Sequence, residues 1–153
     1  MQKLRNILIQ TTLLCMIGCN SEPPTIDDLG LVPLPASISI NKGQTLINSQ
    51  WAVTQNNGHK DLNSLKIMLS ENLYSDYGLS VSDFSRKTIN LNVIEDNTFY
   101  GEEGYHLTIS NKTIQINAGT PNGIFYGIQT FRQLLDSGKK SSEGIQINRI
   151  VIK

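Results

Sequence analysis

Apolar and polar residues trade places along residues 103–135 in a pattern that predicts strand, turn, strand and helix in succession. Tyr105, Leu107 and Ile109 alternate with His106, Thr108 and Ser110, the two-residue period of a strand with one buried face. Ser110, Asn111, Lys112 and Thr113 carry turn chemistry, because asparagine tolerates left-handed backbone and bonds its own main chain. Ile114, Ile116 and Ala118 resume the alternation against Gln115 and Asn117, which completes a hairpin with one apolar side. Thr120 is placed to cap a helix whose first position is Pro121, where a missing N–H costs nothing. Ile124, Ile128, Phe131 and Leu135 then follow at spacings of four, three and four, one stripe of a helix. An apolar sheet face and an apolar helix stripe in immediate succession predict that the two pack together.

The remainder of the chain supplies shorter elements. Ile38 and Ile40 alternate with serines as a short strand; Asn41, Lys42 and Gly43 turn it, and Thr45 to Ile47 are expected to pair back. Trp51 and Val53 predict another strand. Leu62, Leu65, Leu69 and Leu73, widened by Met68 and Tyr77, predict a first helix over about residues 59–77, stopped by Gly78. Val81, then Ile89, Leu91 and Val93, read as further strands, as do Ile145, Ile147 and Ile150 to Ile152, while Lys139 and Lys140 read as a loop after the second helix. Strands with two helices inserted between them give an α+β fold class: a mostly antiparallel β-sheet with two α-helices packed on one face.

The first thirty residues follow a different rule. Lys3 and Arg5 precede a short apolar run over residues 7–17, which describes a signal peptide over residues 1–18 and is too short to span a bilayer. Met16-Ile17-Gly18-Cys19 resembles the lipobox of bacterial lipoproteins, which makes Cys19 the expected lipidation site and the membrane a partner through that lipid. Residues 19–30, with Pro23, Pro24, Asp27 and Asp28, lack apolar periodicity and read as a tether. The expected location is the bacterial cell envelope, on the periplasmic or surface side. The globular body then occupies residues 31–153, entered through the extended Leu31-Val32-Pro33-Leu34-Pro35 stretch.

Charge and cysteine content narrow the chemistry. Thirteen basic residues balance thirteen acidic ones, so there is no electrostatic footprint for nucleic acid. Cys15 and Cys19 are the only cysteines, and neither histidine, His59 or His106, stands in a metal-ligand spacing, so no metal and no cofactor is expected. Glu102 and Glu103 are neighbours on an extended chain and point to opposite sides, so they cannot flank one glycosidic bond. His106 falls on the polar side of its strand and is expected to be exposed. Asn111-Lys112-Thr113 matches a glycosylation sequon that a bacterial export signal leaves idle. Gly119, Gly123 and Gly127 recur every four residues, and Gly127 is expected to permit a close backbone approach to the sheet or to a neighbouring domain. No catalytic residues are assigned.

Three stretches carry a family resemblance. Leu31-Val32-Pro33-Leu34-Pro35 with Gly43, then Glu103-Gly104-Tyr105-His106-Leu107-Thr108-Ile109, then Gly123-Ile124-Phe125-Tyr126-Gly127-Ile128-Gln129-Thr130-Phe131-Arg132-Gln133-Leu134-Leu135 resemble the N-terminal domain of bacterial β-N-acetylhexosaminidases, the family 20 glycoside hydrolases. The resemblance implies a non-catalytic α+β domain that precedes a TIM-barrel catalytic domain removing terminal N-acetylhexosamines. It also implies that the reacting aspartate and glutamate belong to an Asp-Glu motif of that barrel; this sequence has no such dipeptide and no barrel. The partner is then the missing catalytic domain, and its seat should leave an apolar patch uncovered here. A second reading remains open: a stand-alone lipoprotein that binds glycans or docks onto another subunit, with Trp51, Tyr74, Tyr77, Tyr100, Tyr105 and Tyr126 as its sugar-stacking faces.

Overall fold

The computed structural model describes residues 23–56, 60–82, 84–94 and 101–153. Cys19, His59 and Tyr100 therefore lie outside the described residues, as does the start expected for the first helix. The elements run β1 (Ile38–Ile47), β2 (Trp51–Gln55), α1 (Lys60–Tyr77), β3 (Lys87–Val93), β4 (Tyr105–Ile109), β5 (Thr113–Ala118), α2 (Pro121–Ser137), β6 (Lys139–Ser141) and β7 (Gly144–Ile152). All strands join one sheet in the order β1-β7-β4-β5-β3-β2, with β6 paired to the start of β7. The fold is α+β, with most of its ladders antiparallel; β2–β3 and β3–β5 are the parallel pairs. Parallel pairing of β2 and β3 is what α1 makes possible, since a crossover helix returns the chain to the same end of the sheet.

The central hairpin forms as its pattern predicts. Leu107 and Ile109 of β4 face Ile116 and Ile114 of β5, and Ser110 closes the turn on Thr113 through both main chain and hydroxyl. Thr120 caps α2 by accepting the Gly123 N–H at 3.1 Å, with Pro121 in the first turn. Ile124, Ile128, Phe131 and Leu135 are all fully buried against the sheet, and α1 adds Leu62, Leu69 and Leu73 beside them. One core results, between the helices and a single sheet face.

Four local expectations change. Residues 38–47 are one strand rather than two: both halves pair with β7, and the register shifts between Ile40 and Gln44. Gly43, at φ 92°, takes up the extra residues as a bulge, so the expected turn becomes an irregularity within an edge strand. Lys139 and Lys140 are not a loop but β6, a short strand zipped to Ile145 and Gln146. Val81 forms no strand; its neighbour Ser82 makes a lone bridge to Ala52 along the outer edge of β2. Packing also begins ahead of Leu31, because Leu29 ends a single 3-10 turn (Asp27–Leu29) buried beneath the end of α2, where Ser137 donates to its carbonyl at 2.8 Å.

Candidate docking surface

Helix α2 has two different sides. Toward the sheet it approaches so closely that a Cβ at Gly127 would stand 2.4 Å from the Ile116 side chain and 3.3 Å from the Tyr105 ring. Gly123 is tighter still, 2.4 Å from the Gly104 carbonyl oxygen and 2.7 Å from the Ala118 side chain. The close approach expected of Gly127 is therefore toward the sheet, where no side chain fits between the layers. Outward, the same turns present Phe125 and Tyr126, whose rings meet edge to face at 5.6 Å and remain 38% and 42% exposed. Asp61, Leu65, Thr120, Pro121, Asn122 and Phe125 line a shallow groove beside them.

The far end of that outward stripe holds the entry segment. Gln133 accepts the Val32 N–H at 2.9 Å and donates its own amide to the Val32 carbonyl at 3.0 Å, so one side chain imitates a strand partner. This leaves Val32 and Leu34 exposed at 76% and 61%. Four large apolar side chains thus stay wet along α2 and the entry segment, although the chain buries more than two dozen others. Sequence reasoning identified both stretches but not that they are tied together. The signal was present as Gln133 and the Pro-x-Pro entry, but a contact across 101 residues has no local signature.

Polar groups lock α1 to α2. Arg132 pairs with Asp76 at 2.9 Å and with Gln129 at 3.1 Å, while the Tyr77 hydroxyl donates to Asp136 at 2.8 Å. Burial first, and then that bond to Asp136, hold the Tyr77 phenol far above its ordinary range, so it stays a donor. Tyr105 meets Thr130 through its hydroxyl. Both tyrosines are committed to packing, and so is Trp51, which is fully buried, donates its indole N–H to the Leu46 carbonyl at 2.9 Å and carries the Lys87 ammonium over its ring. Of the sugar-stacking aromatics proposed from sequence, Tyr74 and Tyr126 are the described ones with open ring surface.

Candidate chemistry is sparse. Glu102 and Glu103 are exposed in the turn before β4. His106 is half-buried rather than exposed, because β5 and the chain end flank it; desolvation first, and then the nearby Lys153 charge, lower its pKa. Among the described residues no group of three His, Cys, Asp or Glu side chains converges. Nor is any described helix long and apolar enough to cross a membrane.

Residues 28–153 match the sequence model of "Glycosyl hydrolase family 20, domain 2". The chain belongs to that family. A search of curated proteins finds no match. Among solved structures the fold is similar to the family 20 β-N-acetylhexosaminidase of Streptomyces coelicolor A3(2), at 23% identity and a TM-score of 0.68, over 87% of this chain and 27% of that one. It is also similar to the family 20 exo-β-N-acetylglucosaminidase of Vibrio harveyi, at 23% identity and 0.66, over 86% and 20%. The chitobiase of Flavobacterium johnsoniae aligns at 20% identity and 0.65, over 85% and 21%. This family 20 domain thus spans about a fifth to a quarter of the enzymes it resembles.

Proposed function

We propose that this chain is the non-catalytic accessory domain of a lipid-anchored β-N-acetylhexosaminidase and seats a catalytic barrel against the outward side of α2. The observation that carries the reading is the set of exposed apolar side chains, Phe125 and Tyr126 on α2 and Val32 and Leu34 in the entry segment that Gln133 of α2 grips at Val32, on a helix whose other side is fixed to the sheet. Apolar surface kept in water is unfavourable by about 25 cal/mol per Å², so a rigid face of this kind fits a permanent neighbour. The family match supports the enzyme class, and the small share of the related enzymes covered supports a catalytic portion contributed from elsewhere. Cys19, placed ahead of a proline-containing segment, would carry the lipid and hold the assembly at the envelope.

The chain alone should release no chromophore from an aryl N-acetylglucosaminide; turnover by it would refute the non-catalytic assignment. Joined to the catalytic portion of the Streptomyces coelicolor relative, the double variant Val32→Asp/Tyr126→Asp should lower the melting temperature of the fusion. The same changes should leave the melting temperature of the isolated chain within error. Equal effects in both proteins would mean that these residues serve folding and not seating. The stand-alone reading keeps little of its aromatic basis, since Trp51, Tyr77 and Tyr105 are occupied within the core and the helix contacts.

A further inference from the structure

Cations gather at one end of the sheet. Strands β2, β3 and β5 are parallel and begin side by side, and the β4–β5 turn carrying Lys112 closes the same end. Thr88 donates its N–H to the Lys112 carbonyl at 3.0 Å, which sets Lys87 beside that turn. On the other flank of the turn, the Thr45 hydroxyl donates to the Ser110 carbonyl at 3.0 Å and accepts the Arg149 Nε–H at 3.4 Å. The Arg149 guanidinium lies against Gly43, next to Lys42; a Cβ at Gly43 would stand 3.2 Å from it. Lys42, Arg86, Lys87, Lys112 and Arg149 thus form one basic border, and none of them pairs with a described carboxylate. The opposite end is mixed, with Asp61, Glu102 and Glu103 beside Lys60 and Lys153.

Two further features meet at the border. Phe84, two residues ahead of Arg86, is 92% exposed, more than any other large apolar side chain among the described residues. Its loop is tied down: the Phe84 N–H bonds the Ser82 hydroxyl at 3.2 Å, and the Ser85 hydroxyl bonds the Gln50 carbonyl. The described chain also enters here, since Pro23 and Pro24 line one groove with Lys42 and Gly43. Cys19 is four residues earlier, at most about 14 Å of extended chain. Countercharge is limited: Asp83 precedes Phe84 in sequence and lies outside the described residues, while Asp27 and Asp28 sit in the 3-10 turn. The Asp28 carboxylate accepts the Thr25 N–H and hydroxyl, both at 2.8 Å.

The combination selects an occupant. Exposed cations around an exposed aromatic ring suit the headgroup layer of an anionic bilayer, where the ring enters the acyl boundary and the cations meet phosphates. A chain whose basic and acidic residues balance has no overall attraction to such a surface, so the local border sets the orientation. The tether meets the sheet at this border, so a lipid on Cys19 and the border reach the same plane.

We infer that the end of the sheet bearing Lys42, Phe84, Arg86, Lys87, Lys112 and Arg149 docks onto an anionic phospholipid surface and holds the domain in one orientation beside its anchor. The anchor part rests on the proposed function; the border and Phe84 stand without it. Contact at an end of the sheet leaves the outward side of α2 open to a catalytic domain.

The test uses the chain from residue 19 with Cys19→Ser, so that no lipid is attached and every described element is present. Sedimentation with vesicles of phosphatidylglycerol and phosphatidylethanolamine should show binding about tenfold or more tighter than to phosphatidylcholine, each cation at such a surface being worth about fivefold. Lys42→Glu/Lys112→Glu should remove that preference, and Arg86→Glu/Lys112→Glu repeats the measurement should the first pair fold poorly. Lys60→Glu/Lys153→Glu, the same charge change at the mixed end, should cost no more than about twofold, because charges beyond a Debye length are screened. Phe84→Trp should shift its emission to the blue on anionic vesicles, and Phe84→Ser should weaken binding about tenfold. Equal binding to phosphatidylcholine, equal losses in the two ends' variants, or Phe84→Trp emission unmoved by anionic vesicles would each overturn the inference. Unmoved emission together with equally tight binding of duplex DNA would make the border a nucleic-acid surface instead. The mass of the chain extracted from envelopes tests the lipid separately: an unmodified Cys19 would refute the anchor and leave the vesicle result standing.

Discussion

Helices α1 and α2 are almost equal in length and share one side of the sheet, yet they are held very differently. Helix α1 fully buries Leu62, Leu69 and Leu73 beside the edge strand β2. Helix α2 buries Gly123, Ile124, Gly127, Ile128, Phe131, Leu134 and Leu135 over β3, β4, β5 and β7. The difference comes from the two glycines. They let α2 sink onto the middle of the sheet, and the opposite side of its first turns is left with Phe125 and Tyr126 partly exposed. A helix anchored that firmly can display Phe125 and Tyr126 to a neighbour, whereas the apolar Ile67 and Tyr74 of α1 ride on a less deeply set support. Structural weight and docking chemistry thus fall on one element.

The comparison can be broken by mutation. Phe131→Ala should destabilise the chain by about 3–5 kcal/mol, near the top of the range for buried truncations. Leu69→Ala should cost less, read from urea midpoints at equal slope. A reversal of that order would mean that α1, not α2, holds the sheet.

Glycine substitutions separate close approach from backbone geometry. Gly123→Ala drives a methyl into the Gly104 carbonyl and should cost about 1–3 kcal/mol. Gly78→Ala meets nothing within 4 Å at the end of α1 and should cost only about 1–2 kcal/mol, from its left-handed φ of 67°. Chemical denaturation of the two variants compares them directly, and equal losses would remove the packing argument for α2.

The smallest expected effect is a pH dependence on the open side of the sheet. The His106 pKa is lowered on folding, so its contribution is fully present above the unfolded value near 6.5. As pH falls below that value, the unfolded chain takes up the proton first and stability declines toward the lower folded pKa. His106→Gln should flatten this part of the stability–pH curve, as melting temperatures between pH 5 and 7 would show.

Much of the helix side was legible in the sequence, because its signals are local. The alternation of Leu107, Ile109, Ile114 and Ile116, the Thr120-Pro121 start and the stripe through Phe131 each operate within a few residues, and each formed as the pattern predicts. The errors lie where pairing is decided at a distance. Nothing near Gly43 says whether it turns a hairpin or bulges an edge strand; β7, a hundred residues later, decides by pairing with both halves of β1. Lys139 and Lys140 become a strand because β7 lies within reach, not because of their own composition.

What the sequence determined by itself is the α+β class, the capped second helix and the family motif, since propensity, capping and periodicity act through neighbouring residues. Only the tertiary structure decided that Gln133 grips Val32, that Trp51 is sealed away, and that Lys42, Lys87, Lys112 and Arg149 meet at one end of the sheet. Those outcomes depend on which segments meet, and chain connectivity places no such information in any short stretch.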